Sequence, residues 1–209
     1  LFLAMVSIES FAQTIPVNGK YGKVSTEEVE MQTYALDTSA VALVLYDKEF
    51  KHIHLDASGA LRLTTEKHVR IKVLKEEGTS YGDFKVVYYD GSVNAERVTG
   101  VEATTYNMVD GKIVESKMSK KMIFDEPLTD DYIKKTWTAP EVMVGSVIEC
   151  KWTVIDDAYW HVDDVYFQRT IPVNLVEVTV KVPDLFTFHR KMKGYCQMEH
   201  KEVYDNSNP

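Results

Sequence analysis

The chain predicts an all-β fold: an antiparallel β-sandwich with one short N-terminal helix. Three observations predict it. Strand-like segments recur roughly every 10–15 residues with turn residues between them, the spacing of a sandwich. Helical periodicity is almost absent. Asp110-Gly111, flanked by strand-like runs at 101–109 and 112–118, is the strongest hairpin signal in the chain.

In chain order, residues 1–12 read as the remnant of a secretory signal. The apolar run Leu1 to Ile8 precedes Ser10-Phe11-Ala12, whose small-bulky-small pattern suits a signal peptidase cutting after Ala12. The expected destination is the periplasm, the extracellular space or the cell envelope. Residues 13–20 read as an N-terminal extension, and 21–209 as the sandwich domain. Within the lead-in from Gly19 to Met31, Ser25-Thr-Glu-Glu28 is a capping box: the Ser25 hydroxyl accepts the Glu28 amide while the Glu28 carboxylate reaches back. That predicts the helix.

Strands follow. Val41–Tyr46 is a continuous apolar run of strand length. His52–Leu55 pairs with Ala60–Leu63 across Ser58-Gly59. His68–Leu74 alternates, which places Val69, Ile71 and Val73 on one face. Phe84–Tyr89 is β-branched and aromatic and stops at Asp90-Gly91. The stretch Phe124–Lys135 contains Pro127 and Asp130-Asp131 and reads as a loop. Val147–Val154 puts Cys150 on one face with Ile148, Trp152 and Val154. The alternation Asn174, Val176, Val178, Val180, Val182 marks another strand, and Phe186–Arg190 and Gln197–Tyr204 two late ones.

Hydrophobic residues make up 44% of the chain, enough for a packed core. A net charge of −8 and a pI of about 5.3 exclude a basic nucleic-acid-binding face. After the first residues no apolar run approaches the roughly 18–20 residues that span a bilayer. The two cysteines have two readings: Cys150 as a small buried hydrophobe, or a Cys150–Cys196 bridge, which an exported chain permits.

No catalytic site is expected. Cys196, His200 and Asp205 are suggestive in one dimension, but on a strand Cys196 and His200 lie about 13 Å apart at ~3.3 Å per residue, with Asp205 on the other face. No nucleophile elbow, phosphate loop or dinucleotide fingerprint is expected. His52 and His54 share a strand face but lack a third metal ligand, with His68 the nearest other imidazole in sequence. Asp156-Asp157 and Asp163-Asp164 lack the spacing and glycine of a calcium loop and read as a solvated acidic loop. No cofactor or metal is expected. The candidate contacts for a partner or ligand are Tyr159 and Trp160, between the acidic pairs. Exposed, they would stack on a sugar ring or anchor a neighbouring domain; equally, Trp160 would fold back to plug the end of the sandwich.

Several phrases recur in a particular order: Tyr21-Gly-Lys-Val-Ser-x-Glu-Glu-Val-Glu-Met31, His68-Val-Arg-Ile-Lys-Val-Leu74-Lys-Glu-Glu-Gly78, Thr105-Tyr-Asn107 with Gly111-Lys112, Lys120-Lys121-x-Ile-Phe124, Gly145-Ser-Val-Ile-Glu149 and Tyr166-Phe-Gln-Arg-x-Ile-Pro172. This order resembles the domain of unknown function 3857 family, which precedes transglutaminase-like domains in exported bacterial proteins. The resemblance implies a non-catalytic β-sandwich accessory domain that scaffolds or positions substrate. The papain-like Cys-His-Asp machinery would then lie in a C-terminal transglutaminase-like domain of the same chain, beyond Pro209. None of that machinery maps onto residues here. A peptide or glycan is the other expected partner. The alternative is a stand-alone carbohydrate- or peptide-binding sandwich.

Overall fold

The computed structural model of the 209-residue chain describes residues 3–9, 15–184, 186, 191, 193–194 and 199–205. Among them are eleven strands and one α-helix: β1 (Leu3–Glu9), α1 (Thr26–Glu30), β2 (Ala42–Leu55), β3 (Leu61–Val73), β4 (Asp83–Tyr89), β5 (Glu96–Val109), β6 (Lys112–Lys117), β7 (Ile123–Pro127), β8 (Tyr132–Thr138), β9 (Val147–Asp156), β10 (Val176–Pro183) and β11 (Glu199–Asp205). A 3-10 helix, Glu76–Gly82, links β3 to β4.

Eight strands form one sheet in the order β11-β1-β10-β2-β3-β9-β5-β6, and β4-β8-β7 form a smaller sheet facing it. The fold is the expected all-β sandwich, with one departure from antiparallel pairing. β10 lies parallel to β2, because the chain returns along residues 157–175 to a strand laid down near its start. The apolar part of the expected signal remnant forms β1, between β10 and β11; cleavage after Ala12 would remove it.

The capping box is present: Ser25 Oγ accepts the Glu28 amide, and Glu28 accepts the Ser25 amide at 2.6 Å. Asp110 and Gly111 adopt φ of 49° and 73°, the left-handed pair a tight β5–β6 turn requires. Four short predicted strands merge into two long ones. The 41–46 and 52–55 runs are both parts of β2, and the 60–63 and 68–74 runs both parts of β3, joined by the predicted turn at Ser58-Gly59. Asp47, Lys48, Glu49 and Lys51, which lie between the two predicted runs, are inside β2.

A bulge in β2 between Val44 and Tyr46 governs where those charges go. Val44 pairs with Ile71, but Asp47 pairs with Val69, so the extra residue reverses the face parity. Asp47, Glu49 and Lys51 thereby turn to the inner face, toward the small sheet, while Leu43 and Leu45 turn outward under the N-terminal segment. The predicted loop at Phe124–Lys135 is corrected to the β7–β8 hairpin. Pro127 closes a five-residue edge strand, where a missing amide costs no ladder bond. Lys134–Glu126 and Lys135–Asp125 pair across the strands. Of the predicted late strand Phe186–Arg190, residues 187–190 lie outside the described residues.

The core has three parts. Val69, Ile71, Val73, Ile148, Cys150 and Trp137 pack between the sheets. Leu43, Leu45, Tyr106 and Val147 lie under the N-terminal segment and α1. Ile53, Leu63 and Val182 close the opposite end.

Candidate functional site

The outer face of β3 looks solvent-facing in sequence, since His68, Arg70 and Lys72 alternate with the apolar residues. It is buried instead, beneath residues 15–31. Arg70 is fully buried and forks between two acids: Nη1 donates to Glu28 Oε1 at 2.8 Å and Nη2 to Glu149 Oε1 at 2.6 Å. Glu149 also accepts His68 Nε2 at 2.8 Å, the Gly22 amide at 2.7 Å and the Tyr106 hydroxyl at 3.1 Å. Burial would raise the Glu149 carboxyl, but the bonds from His68 and Arg70 and the Arg70 charge hold it below the usual carboxylate range. The ring of His68 packs between Tyr21 and Tyr46, with centroids at 5.5 and 5.3 Å.

Lys72, equally buried, donates to Val29 O at 2.6 Å and to Gly145 O. The first is a carbonyl of α1's last turn, where a cation suits the helix dipole. Burial lowers the Lys72 pKa to about 8. This network resembles catalytic furniture but has no nucleophile: the described hydrogen bond of His68 goes to a carboxylate that is already neutralised. Its geometry clamps the N-terminal segment to the sheet.

The inner face carries a second ionic group. Lys51 Nζ meets Glu49 at 2.8 Å, Lys67 pairs with the same carboxylate, and Arg169 Nε donates to Asp47 Oδ2 at 2.9 Å. Burial works to raise the Glu49 carboxyl, and Lys67 and Lys51 reverse this, leaving it lowered. These pairs floor a cleft of about 820 Å³ between the large sheet, β4 and residues 163–171. Trp152, Val154 and Phe84 supply its apolar wall.

Cys150 is buried and free, and Trp137 Nε1 donates to its Sγ at 3.1 Å. Burial pushes the thiol up to about 12, against the opposing Trp137 hydrogen bond, so it stays protonated and inert at neutral pH. Cys196, and with it the Cys150–Cys196 and Cys196–His200–Asp205 readings, lies outside the described residues.

Contrary to the expectation of no nucleophile elbow, Gly78-Thr79-Ser80-Tyr81-Gly82 spells the Gly-x-Ser-x-Gly pattern. A nucleophile elbow is a sharp strand-to-α-helix turn. Here the segment is a 3-10 helix running into β4, and Ser80 Oγ donates to the Glu77 carbonyl at 3.0 Å rather than to a base. Gly78 is there for space, since a Cβ would stand 2.1 Å from the Val41 carbonyl oxygen.

Tyr159 and Trp160 separate. Tyr159 packs on the Ile53–Leu63–Val182 cluster, 5.7 Å from the Phe186 ring, whereas Trp160 is 60% exposed and touches Tyr159 edge-on. It is therefore Tyr159 that plugs the end of the sandwich. Tyr159→Ala is expected to cost about 1–2 kcal/mol in urea unfolding, and Trp160→Ala less than about 0.5 kcal/mol.

His52 and His54 stack at 4.0 Å, but among the described residues no group of three or more potential ligands is placed to hold a metal ion. Asp157 pairs with Arg62 at 3.2 Å and Arg97 at 3.1 Å. Asp156 and Glu96 have raised carboxyl pKa values, first from burial and then from neighbouring acids.

The pattern of the family described as "Domain of Unknown Function with solved-structure structure (DUF3857)" matches residues 60–207. Among solved structures, a Parabacteroides distasonis ATCC 8503 protein described as "a putative protease" shares the fold, with a TM-score of 0.53 over 78% of this chain at 14% identity. The chain spans about a third of that protein, 35% of its length. No curated protein matches the chain.

Proposed function

Since the chain belongs to the DUF3857 family, we propose that it is a non-catalytic accessory domain of an exported transglutaminase-like or protease-like protein, which it scaffolds or supplies with positioned substrate. The observation that carries this reading is the 35% share of the structural neighbour: a fold of this kind occupies a minor part of a longer protein there. Side-chain chemistry supports it. The described cysteine is neutral and sealed, the buried histidine is held by a carboxylate, and the Gly-x-Ser-x-Gly serine is tied to a main-chain carbonyl.

The test is the reading frame beyond Pro209. The expected result is a second domain with a cysteine at a helix start followed by a histidine and an aspartate. A stop codon there, or an unrelated domain, overturns the reading. Export is tested on the same protein: after expression in a bacterial host, N-terminal sequencing is expected to begin at Gln13, and a retained Leu1–Ala12 segment would contradict it.

The exposure of Trp160 favours a second reading, a sandwich that binds carbohydrate or peptide by aromatic stacking. It fails if Trp160→Ala binds glycans and peptides as well as the parent does.

A further inference from the structure

The cleft above the Glu49–Lys51–Lys67 group has a feature that its ion pairs do not use. Five consecutive residues of β4, from Asp83 to Val87, line it. A strand that presented one face would contribute alternate residues; consecutive ones mean that the strand presents its edge. β4 is the edge strand of its sheet, and among the described residues nothing pairs with its outer side. The flanking bonds Asp90 N to Asp131 O and Ala139 N to Gly82 O set the register with β8. By the alternation of antiparallel pairing, the N–H and C=O groups of Asp83, Lys85, Val87 and Tyr89 point away from β8. The Tyr89 amide already takes an outside acceptor, the Glu96 carboxylate at 2.7 Å.

Charge says what would fit. Lys51 and Lys67 are occupied by Glu49, and Arg169 by Asp47. The other charged residues lining the cleft are Lys85 against Asp83, Glu96, Asp156, Asp163 and Asp164. Among the described residues the ion-pair partner of Asp163 is the exposed His161 at 3.5 Å. Burial first, and then the neighbouring acids, raises the Glu96 and Asp156 carboxyls.

We propose that the cleft receives an extended peptide segment that adds as a strand to the free edge of β4 and delivers a lysine or arginine side chain to the Glu96–Asp156–Asp163 end. Main-chain bonds to Lys85 and Val87 would supply the register, and the wall of Phe84, Trp152 and Val154 would take an apolar neighbour of the basic residue. This inference deepens the accessory reading and rests on it.

The test uses dansyl-labelled acetyl-TVKVT-amide, followed by fluorescence anisotropy. Saturable binding is expected. The peptide with glutamate in place of lysine is expected to bind at least about tenfold more weakly, a difference of about 1.4 kcal/mol. Asp156→Asn combined with Asp163→Asn is expected to erase that preference. Val87→Pro, which removes an edge donor at a position tolerant of proline, is expected to abolish binding. If that variant does not fold by circular dichroism, the peptide N-methylated at both valines serves instead, and equal binding of it overturns the edge pairing. Equal binding of the lysine and glutamate peptides, or none, overturns the proposal. Mass spectrometry of the recovered peptide separates the two readings. An intact peptide that does not bind sinks only the cleft inference, and a cleaved peptide sinks the non-catalytic reading.

Discussion

Arg70→Leu is expected to lower the unfolding free energy by about 3–5 kcal/mol, because it strands Glu28 and Glu149 as buried carboxylates with no guanidinium between them. Equilibrium urea unfolding at neutral pH measures it. The pH dependence gives the effect its signature. In the parent, the folded-state pKa of Glu149 is depressed. Its contribution is therefore present above the unfolded carboxylate value of about 4.3 and is lost as pH falls through the folded value. In the variant that contribution shrinks, since Glu149 keeps the bonds from His68, Gly22 and Tyr106 but loses the Arg70 charge, and so binds its proton more tightly than in the parent. The gap between variant and parent should narrow as pH falls from 7 toward 4. A gap that is small at pH 7, or that widens in acid, would show that Arg70 does not neutralise this network. The same change should loosen residues 19–31, since Arg70 Nη2 also holds the Lys20 carbonyl at 3.1 Å.

Trp137→Ala is expected to cost a similar amount, about 3–5 kcal/mol. Trp137 is the largest fully buried side chain among the described residues and sits on β8, the central strand of the small sheet. Its ring stacks on Phe84 at 5.9 Å and meets Trp152 edge-on at 5.5 Å, tying the small sheet to the large one. Removing it opens a void beside Cys150 and deletes the hydrogen bond to Sγ. Native Cys150 should resist a thiol-specific reagent that modifies it in the unfolded chain, and in Trp137→Ala it should react before global unfolding. Mass spectrometry of the labelled peptide reads the site directly. Rapid labelling of Cys150 in the parent would contradict both its burial and its inertness.

The locally coded features were legible in the sequence. The capping box at Ser25 and Glu28, the Asp110-Gly111 turn and the Val69, Ile71, Val73 face follow from rules that span a few residues. The features that failed depend on distant parts of the chain. Alternation set Val69, Ile71 and Val73 apart from Arg70 and Lys72, and only the docking of residues 15–31 makes that second face interior as well. The 41–46 and 52–55 runs read as separate strands, and only the bulge after Val44 and the returning Arg169 make Asp47, Glu49 and Lys51 between them an internal ionic group. The β7–β8 hairpin was hidden by Pro127 and its acidic turn, which are ordinary at a sheet edge. The site was legible to the same extent. The sequence left Trp160 open between exposure and folding back over the sandwich end, and the structure exposes it and gives the plugging position to Tyr159, while the cleft needed two sheets in register before it existed.

The absence of catalytic activity in this chain is the claim on which the account turns, and a direct assay decides it. The purified chain, incubated with labelled casein and with a glutamine-donor peptide, is expected to give no hydrolysis or amide transfer above the buffer rate. Turnover that disappears in Cys150→Ser or Cys196→Ser would contradict the account and place an enzyme within these 209 residues.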